Sequence, residues 1–198
     1  MMKVDNRQKL IKSTDELLKN HSLASITAKE ITKRAELSVG VFYNYFESKE
    51  DIFQELIKSF FTYSIKEMEQ LKGEITGNNI RSEIKFKEFL INGIDKNWEN
   101  HFLNSDILMV SRKDKDFQKM MMSYNDKMVD TVADILVVVW PEVKERPITL
   151  ARVVVNMIQN SFPSFSKFET DAEKEEYAEE FVKIIYNICF RGSGNGKL

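Results

Sequence analysis

The sequence predicts an all-α protein in which an N-terminal three-helix helix-turn-helix domain is joined by a long helix to a C-terminal helical bundle. Two observations predict this fold class. All three prolines lie at or after Pro141, so the sequence before that position lacks the breaks that proline imposes on helices. Over the same stretch, apolar residues recur at the three- and four-residue spacing of amphipathic helices. With 42% hydrophobic and 30% charged residues, the composition is that of a globular chain.

The first two helices are predicted from apolar spacing and from a capping motif. One face of the first helix is apolar and consists of Leu10, Ile11, Thr14, Leu17 and Leu18. The segment Thr27-Ala-Lys-Glu30 is a capping box, which predicts the start of a second helix that carries Ile31 and Ala35.

A polar turn at 36–38 separates this helix from a short third helix, predicted from about Val39 to Phe46. Ser48-Lys-Glu-Asp51 is a second Ser-x-x-acid start. The apolar stripe after it predicts a fourth helix to about Leu71, roughly 35 Å long at 1.5 Å per residue.

The glycines and asparagines at 73–79 predict a loop and a domain boundary. Five further helices are expected near 81–99, 104–112, 114–139, 148–162 and 171–190, the last capped by Thr170 and Glu173. The apolar run at 135–140 is compatible with a buried strand, but an unbroken stripe leads into it, which favours a helix end. The glycine-rich segment 191–198 is predicted to be a disordered tail.

Composition excludes several classes of protein. The net charge is −2, so any nucleic-acid binding has to rest on a motif and not on bulk charge. The longest apolar run is short, and we expect no signal peptide and no membrane span. A single cysteine, Cys189, excludes an internal disulfide and favours the cytoplasm. His21 and His101 lack metal-ligand spacing, and no nucleophile, phosphate-loop or dinucleotide motif is present, so we expect neither a metal, a cofactor nor an enzyme.

Residues 27–51 carry the informative pattern, which is a helix, a tight turn, a short helix and a strong new helix start. A helix-turn-helix has this form, because its first helix crosses the phosphate backbone and its second places its N-terminal end in the major groove. Phe42 and Phe46 are spaced to face inward. The segment therefore predicts binding to double-stranded DNA.

Several side chains of this segment suit DNA contacts. Asn44 can bond base edges, and the hydroxyls of Tyr43 and Tyr45 can reach phosphates. Gly40 lets backbone approach a phosphate closely, and Lys49 adds a positive charge at the next helix start. The candidate DNA-binding residues are Thr27, Ser38, Val39, Gly40, Tyr43, Asn44, Tyr45 and Lys49. Thr27 and Ser38 are also expected to cap helices, and capping is compatible with phosphate binding.

The segment over residues 7–57 resembles the DNA-binding domain of the TetR (tetracycline-repressor-like) family of bacterial transcriptional regulators. The resemblance is carried by Ile31, Ala35, Leu37, Ser38, Gly40, Phe42, Tyr43, Tyr45, Phe46, Lys49 and Phe53. Two positions depart from the common pattern. Glu36 stands where the family often has glycine in the turn, and Val39 stands where a basic or small polar residue is frequent, which suggests an apolar contact to a thymine methyl.

The resemblance implies a transcriptional regulator, and we expect a repressor that an unidentified small effector releases from a palindromic operator. The resemblance implies no particular ligand. The methionines and aromatics of the C-terminal part indicate an apolar or amphipathic one. The resemblance also implies a DNA-binding domain at 1–48, a linking helix at 49–71, and a ligand-binding and dimerisation domain at 49–190. Two alternatives stay open, namely a transcriptional activator of the same fold, and a helical ligand-binding or scaffold protein with a non-functional helix-turn-helix.

Two sets of C-terminal residues are candidates for the other sites. A stripe of methionines and aromatics suits an adaptable ligand pocket, although bundle core is the simpler interpretation for each member. These candidates are Trp98, Phe102, Met109, Phe117, Met121, Tyr124, Met128 and Met157. In the family the last two helices form the homodimer interface, and an operator with two half-sites favours a dimer. The candidate interface residues are Leu150, Val153, Val154, Ile158, Phe181, Ile184, Ile185 and Ile188.

Overall fold

The computed structural model describes residues 5–97, 102–140, 145, 147–165, 168 and 170–191. Within these residues the chain is helical and has no strand, which confirms the predicted all-α class. The helices are α1 (Asn6–Leu18), α2 (Ala28–Arg34), α3 (Val39–Tyr43), α4 (Lys49–Glu74), α5 (Ile80–Asn97), α6 (Leu103–Lys113), α7 (Lys115–Val139), α8 (Ile148–Phe165) and α9 (Asp171–Tyr186), followed by a π-helical segment (Asn187–Arg191).

The chain divides into two compact units. Unit 1 consists of Met1–Tyr63 and Glu99–Met121, and unit 2 consists of Ser64–Trp98 and Met122–Leu198. Helix α6 and the start of α7 therefore belong with the N-terminal helices, although the whole of α5 lies between them and those helices in sequence. The functional division after residue 48 remains a prediction, because it concerns roles and not packing.

Side-chain caps explain where several helices begin. Thr27 Oγ1 accepts from Glu30 N while Glu30 Oε2 accepts from Thr27 N, which confirms the predicted capping box at α2. Thr170 and Glu173 form the same reciprocal pair at α9. At α4, Ser48 Oγ accepts from Asp51 N at 3.1 Å, as the Ser-x-x-acid spacing predicts. These caps satisfy backbone N–H groups that have no partner within a helix.

Helix α3 is shorter than predicted. It ends at Tyr43, and Asn44 is its C-cap residue, so Asn44 and Tyr45 lie at and after the end of the helix. The backbone tightens there, because Asn44 N bonds Val41 O and Tyr45 N bonds Phe42 O, which are bonds to the third residue back. The buried ring of Phe46 then holds the chain that leads into α4.

The core of unit 1 joins α1, α2, α3 and α4. Its buried apolar side chains include Leu10, Leu18, Leu23, Ile26, Ile31, Ala35, Phe42, Phe46, Ile52, Phe53 and Ile57. Helices α1, α2 and α3 pack against one another pairwise. This arrangement fixes the orientation of the short α3.

The core of unit 2 is built where α9 packs against α5 and α8. Its buried side chains include Phe86, Leu90, Leu136, Val139, Ala151, Val154, Val155, Phe181, Ile185, Tyr186 and Phe190. Stacked rings of Tyr186 and Phe190, 5.2 Å apart, and an edge contact of Phe190 with Phe86 at 5.1 Å close one end of this core.

The remaining boundaries agree with expectation to within a few residues. Residues 135–139 are the last part of α7, which confirms the helix interpretation of the apolar run. Arg191 belongs to the π-helical segment, so the predicted tail starts one residue too early, and 192–198 lie outside the described residues. In the described part of the chain, none of the helices combines the length and apolar character that crossing a bilayer requires.

Candidate nucleic-acid interface

The inner side of α3 is anchored by two phenylalanines one helical turn apart. Phe42 and Phe46 are buried, and their ring centroids lie 5.8 Å apart. The guanidinium of Arg7, from α1, lies over the Phe46 ring at 5.3 Å. The predicted inward-facing pair is therefore confirmed, and the opposite side of α3 is left free of protein contacts that would bury it.

The outer side of α3 carries the predicted DNA-binding residues. Tyr43 is 60% exposed, Tyr45 41% and Val39 39%, and Ser38, Gly40 and Asn44 are also exposed. The Tyr43 ring packs edge-on against Phe42 at 5.3 Å, so its direction is restrained although most of the residue is exposed. Six of the eight predicted residues are thus exposed, all within residues 38–45, and we call these six the α3 surface.

Ser38 and Gly40 show what the N-terminal end of α3 offers. Ser38 is the N-cap residue, but its hydroxyl makes no capping hydrogen bond, contrary to expectation. A Cβ built on Gly40 would meet only Ser38 Oγ, at 3.9 Å. The glycine is therefore not needed for packing within the chain, and the space beside it is open to an external group.

The turn between α2 and α3 is a Schellman motif. Leu37 N donates to Thr32 O at 2.9 Å and Glu36 N donates to Lys33 O at 3.3 Å, which is the bonding pattern of that motif. Glu36 occupies the position that requires a left-handed backbone, with φ of 58°. The turn geometry is kept although glycine is absent.

Thr27 and Glu30 hold the start of α2 at the surface. The Thr27 hydroxyl and its backbone N–H both donate to Glu30 Oε2 at 2.8 Å. These two hydrogen bonds lower the pKa of Glu30, so its carboxylate is charged at neutral pH. Thr27 is exposed and is bonded to this carboxylate, so the role that the structure shows for it is that of a helix cap.

Lys49, the last predicted residue, is half-buried and turned toward the chain. Its Nζ donates to Ala24 O at 3.1 Å and to Ile26 O at 2.9 Å. These carbonyls belong to the loop before α2, so Lys49 fixes that loop. The sequence interpretation assigned only a phosphate contact to Lys49 and missed this role, because α2 and α3 lie between the loop and Lys49 in sequence.

Asp106 of α6 is a further residue that sequence reasoning missed. It is buried, and its Oδ2 accepts from Leu23 N at 2.8 Å in the same loop. Burial raises the pKa of Asp106, while the Leu23 hydrogen bond and the positive charge of Lys49 oppose that change. Its partner is 83 residues away in the sequence, so no local sequence pattern predicts the contact.

The predicted ligand-binding residues are divided between the two units. Phe102, Met109, Phe117 and Met121 fall in unit 1, and Tyr124, Met128 and Met157 fall in unit 2. Trp98 lies outside the described residues. Phe117 is buried with its ring 6.4 Å from that of Phe53, so it serves the core of unit 1. The candidate set therefore does not belong to a single unit.

The predicted interface residues of α8 and α9 separate into two groups. Val154, Phe181 and Ile185 are buried within the single chain and pack in its core. Val153 and Ile184 are 48% and 47% exposed. Leu150, Ile158 and Ile188 are half-buried. A periodic apolar stripe does not distinguish the inner from the outer edge of a helix face, whereas burial does.

Among the described side chains, no group of three His, Cys, Asp or Glu residues is placed to hold a metal ion. The one cysteine, Cys189, is buried, and burial raises the pKa of its thiol to about 12. The thiolate is the reactive form of cysteine. Cys189 therefore offers neither a nucleophile nor a metal ligand at neutral pH.

Comparisons with known proteins found a family model that matches the N-terminal helices, and solved structures of similar fold. Residues 10–56 match a family model described as bacterial regulatory proteins, tetR family. A search of curated proteins found no match.

Solved structures of similar fold cover almost the whole chain. A TetR transcription regulator from Haloarcula marismortui is 12% identical with a TM-score of 0.74, covering 93% of this chain and 96% of that one. Regulatory protein TetR from Rhodobacter sphaeroides is 18% identical with a TM-score of 0.66, covering 91% and 97%. The fatty acid degradation regulator FadR from Bacillus halodurans is 12% identical with a TM-score of 0.67, covering 98% and 100%. At these identities the likeness concerns the fold alone.

Proposed function

We propose that this chain, a member of the TetR family of bacterial regulatory proteins by its N-terminal domain, binds a pseudo-palindromic operator as a homodimer and represses transcription until a small apolar or amphipathic ligand releases it. Regulators of this family are DNA-binding transcription factors and not enzymes. The observation that carries the proposal is the α3 surface, where Tyr43 and Asn44 are exposed over a buried Phe42 and Phe46.

The residues of the α3 surface divide by the part of DNA they suit. The hydroxyls of Tyr43 and Tyr45 contact phosphates, which position the protein, and Asn44 contacts a base edge, which specifies sequence. Val39 meets a thymine methyl, and the open space at Gly40 admits a phosphate. Thr27 and Lys49 contribute at the edges of this surface, through the N-terminus of α2 and through the loop before it.

Selection of bound sites from a random pool of oligonucleotides tests the DNA-binding half. We expect a pseudo-palindrome whose half-sites are about one helical turn of DNA apart or a multiple of it. Affinity should fall steeply as salt rises, because phosphate contacts release counterions. A protein that enriches no sequence, and that a nonspecific DNA column does not retain at low salt, would instead be a ligand-binding or scaffold protein.

Two substitutions on the α3 surface and one at its edge are expected to act in two ways. Tyr43→Ala and Lys49→Ala should weaken binding to all sequences. Asn44→Ala should change base preference and cost about 1–3 kcal/mol at one base pair of each half-site if the contact is bidentate. Fluorescence anisotropy on the selected operator and on single-base variants measures both effects. Tyr63→Ala, an exposed tyrosine of α4 in the same unit, is the matched control and should bind as the wild type does. Unchanged binding in all three variants contradicts the site.

The homodimer is proposed to form through the outer edges of α8 and α9. After the core residues are removed from the candidate set, the exposed Val153 and Ile184 and the half-buried Leu150, Ile158 and Ile188 support this interface. Two copies are needed because each supplies one recognition helix to one half-site. A second copy of the chain is thus a partner alongside operator DNA.

The effector is proposed to bind among the helices that follow α4. Tyr124, Met128 and Met157 remain candidates in unit 2, because methionine and tyrosine suit an adaptable apolar pocket. The ligand then shifts α4 and so changes the spacing of the two recognition helices. It needs to prefer the non-binding conformer by only a few kcal/mol. The inaccessible thiol of Cys189 disfavours an oxidant as the effector.

Titration of fatty acids and aromatic amphiphiles into a preformed protein–operator complex tests this regulation. Release of DNA at the concentration where calorimetry detects binding is the expected result. A complex that survives a saturating, calorimetrically confirmed ligand argues against induction. Activation in place of repression is the alternative for the same fold, and the position of the selected operator relative to the promoter distinguishes them. We expect the protein to act in the cytoplasm, where the operator lies.

A further inference from the structure

The loop between α1 and α2 determines where the helix-turn-helix begins. It runs from residue 19 to Thr27, the N-cap of α2. Two of its side chains, Leu23 and Ile26, are fully buried, whereas Ala24 and Ser25 are exposed. Any displacement of this loop moves the start of α2, and α3 packs against α2.

The backbone of this loop is held by two charged side chains from other helices. Leu23 N donates to Asp106 Oδ2 of α6 at 2.8 Å, and the bond is buried. Lys49 Nζ of α4 donates to Ala24 O and Ile26 O. Between Leu23 and Ile26, an anion thus accepts from an N–H and a cation donates to two carbonyls. Hydrogen bonds to charged groups are the stronger class in proteins.

Asp106 lies on a helix that is also held at its C-terminal end by contacts within unit 1. At its C-terminal end, Asp114 Oδ2 accepts from Gln54 Nε2 of α4 at 3.0 Å, and Asp114 Oδ1 accepts from Phe117 N at 2.9 Å. The Phe117 ring packs near Phe53. These contacts lie about 12 Å from Asp106 along the helix, at 1.5 Å per residue.

Burying a carboxylate costs free energy unless the hydrogen bonds that it accepts in the protein replace those that it makes to water. Burial raises the pKa of Asp106, and the Leu23 N–H and the Lys49 charge act in the opposite direction. An apolar side chain at this position would avoid that cost. The carboxylate therefore serves the loop backbone and not the packing of α6.

We propose that Asp106 is a positioning residue for DNA binding, which acts from α6 by holding the Leu23 peptide group so that α2 and α3 are set for the operator. This inference rests on the proposed function. It assigns a DNA-binding role to a helix that lies well outside the matched family domain at 10–56, and to a side chain that touches no DNA.

Three substitutions of Asp106 separate hydrogen bonding from charge and from volume. Asp106→Asn keeps an acceptor oxygen at the same place. Asp106→Ser has a hydroxyl too short to reach Leu23 N, and Asp106→Leu keeps the branched shape of the side chain without an acceptor. Asp116→Leu is the matched control, since Asp116 is 94% exposed in the same unit and its loss changes net charge equally. Removing a negative charge by itself favours DNA binding, so a loss in affinity cannot come from charge.

The readouts are affinity for the selected operator, its salt dependence, thermal unfolding, and hydrogen exchange of the Leu23 amide. We expect Asp106→Asn to bind the operator within about twofold of the wild type. Below their unfolding temperatures, Asp106→Ser and Asp106→Leu should bind it at least about tenfold more weakly. The slope of affinity against salt should stay unchanged, because no phosphate contact is lost. Hydrogen exchange of the Leu23 amide should be faster in Asp106→Ser and Asp106→Leu, and unchanged in Asp106→Asn.

The results that overturn the inference differ from those that overturn the proposed function. Wild-type operator affinity in Asp106→Ser and Asp106→Leu contradicts the role of the acceptor oxygen. An equal loss of affinity in Asp106→Asn and Asp106→Leu contradicts it as well. A loss no larger than the unfolded fraction assigns Asp106 to stability alone. If Asp106→Leu does not fold, the comparison of Asp106→Ser with Asp106→Asn tests the same point. A wild-type protein that selects no DNA overturns the proposed function, and the inference with it.

Discussion

Glu36 combines a strained backbone with an intact turn. Its φ of 58° lies in the left-handed region, where a Cβ crowds the following carbonyl. The Schellman hydrogen bonds from Glu36 and Leu37 nevertheless form. The family pattern raised the question whether a turn without glycine keeps its geometry, and the answer is that it does so at the cost of local strain.

Glu36→Gly is expected to stabilise the protein, because glycine adopts the left-handed conformation without that crowding. The gain should be about 1 kcal/mol, or about 2–4 °C in unfolding temperature for a chain of this size. Thermal unfolding followed by circular dichroism measures it. Glu36→Ala removes the same carboxylate but keeps a Cβ and should give no gain. Equal gains in both variants would mean that the carboxylate, and not the backbone, carries the cost.

Gly40 is the second residue at which an individual atom matters. Its surroundings leave room for a methyl group, with Ser38 Oγ the nearest atom at 3.9 Å. A glycine that packing does not require, at the exposed start of α3, is what close approach to a phosphate would demand.

Gly40→Ala is expected to leave folding intact or improve it slightly, since alanine favours a helix. Operator affinity should fall about tenfold, because the methyl group separates the backbone from the phosphate. Gly73→Ala, in α4 with no atom within 4 Å of the added Cβ, is the control and should leave affinity unchanged. Unaltered binding by Gly40→Ala, measured by anisotropy, would remove Gly40 from the interface.

At the scale of elements, the two capping boxes are chemically identical and lie in different units. Thr27 starts α2 and Thr170 starts α9, each with a glutamate three residues later. Both were predictable, because a capping box involves only a short run of consecutive residues. The early end of α3 was not, because it depends on how buried Phe42 and Phe46 are placed against the rest of unit 1.

Thr27→Ala and Thr170→Ala are each expected to cost about 1 kcal/mol of stability through loss of the cap. Only Thr27→Ala should weaken operator binding beyond that, if its hydroxyl or the α2 N-terminus meets a phosphate. Chemical denaturation and anisotropy on both variants make the comparison. Equal operator affinity in the two variants would leave Thr27 with a capping role only.

At the scale of the whole molecule, the contact units do not follow the order of the chain. Helix α6 belongs to unit 1 through Asp106 and Asp114, although it follows α5 of unit 2. A division by sequence alone placed α6 with the C-terminal bundle. The helix-turn-helix is thus stabilised in part by contacts with α6, a segment that follows it much later in the sequence.

Val153→Glu combined with Ile184→Glu is expected to convert the dimer to a monomer, because charged residues would be buried at the interface. Operator affinity should then fall to that of a single half-site. Sedimentation and anisotropy measure the two effects. Ile91→Glu, an equally exposed isoleucine of α5, is the control and should stay dimeric. A double variant that remains a dimer would place the interface elsewhere.

Local information in the sequence determined most of the helices, the caps of α2, α4 and α9, and the residues of the α3 surface. Each of these depends on residues within about one helical turn, as the Thr27 box and the Phe42–Phe46 pair show. Only the tertiary structure decided which apolar residues of α8 and α9 are core, such as Val154 and Ile185, and which are exposed, such as Val153 and Ile184. It also decided that Asp106 accepts a hydrogen bond from Leu23 N. The two residues are 83 positions apart, and the packing that brings them together produces no periodic pattern in the sequence.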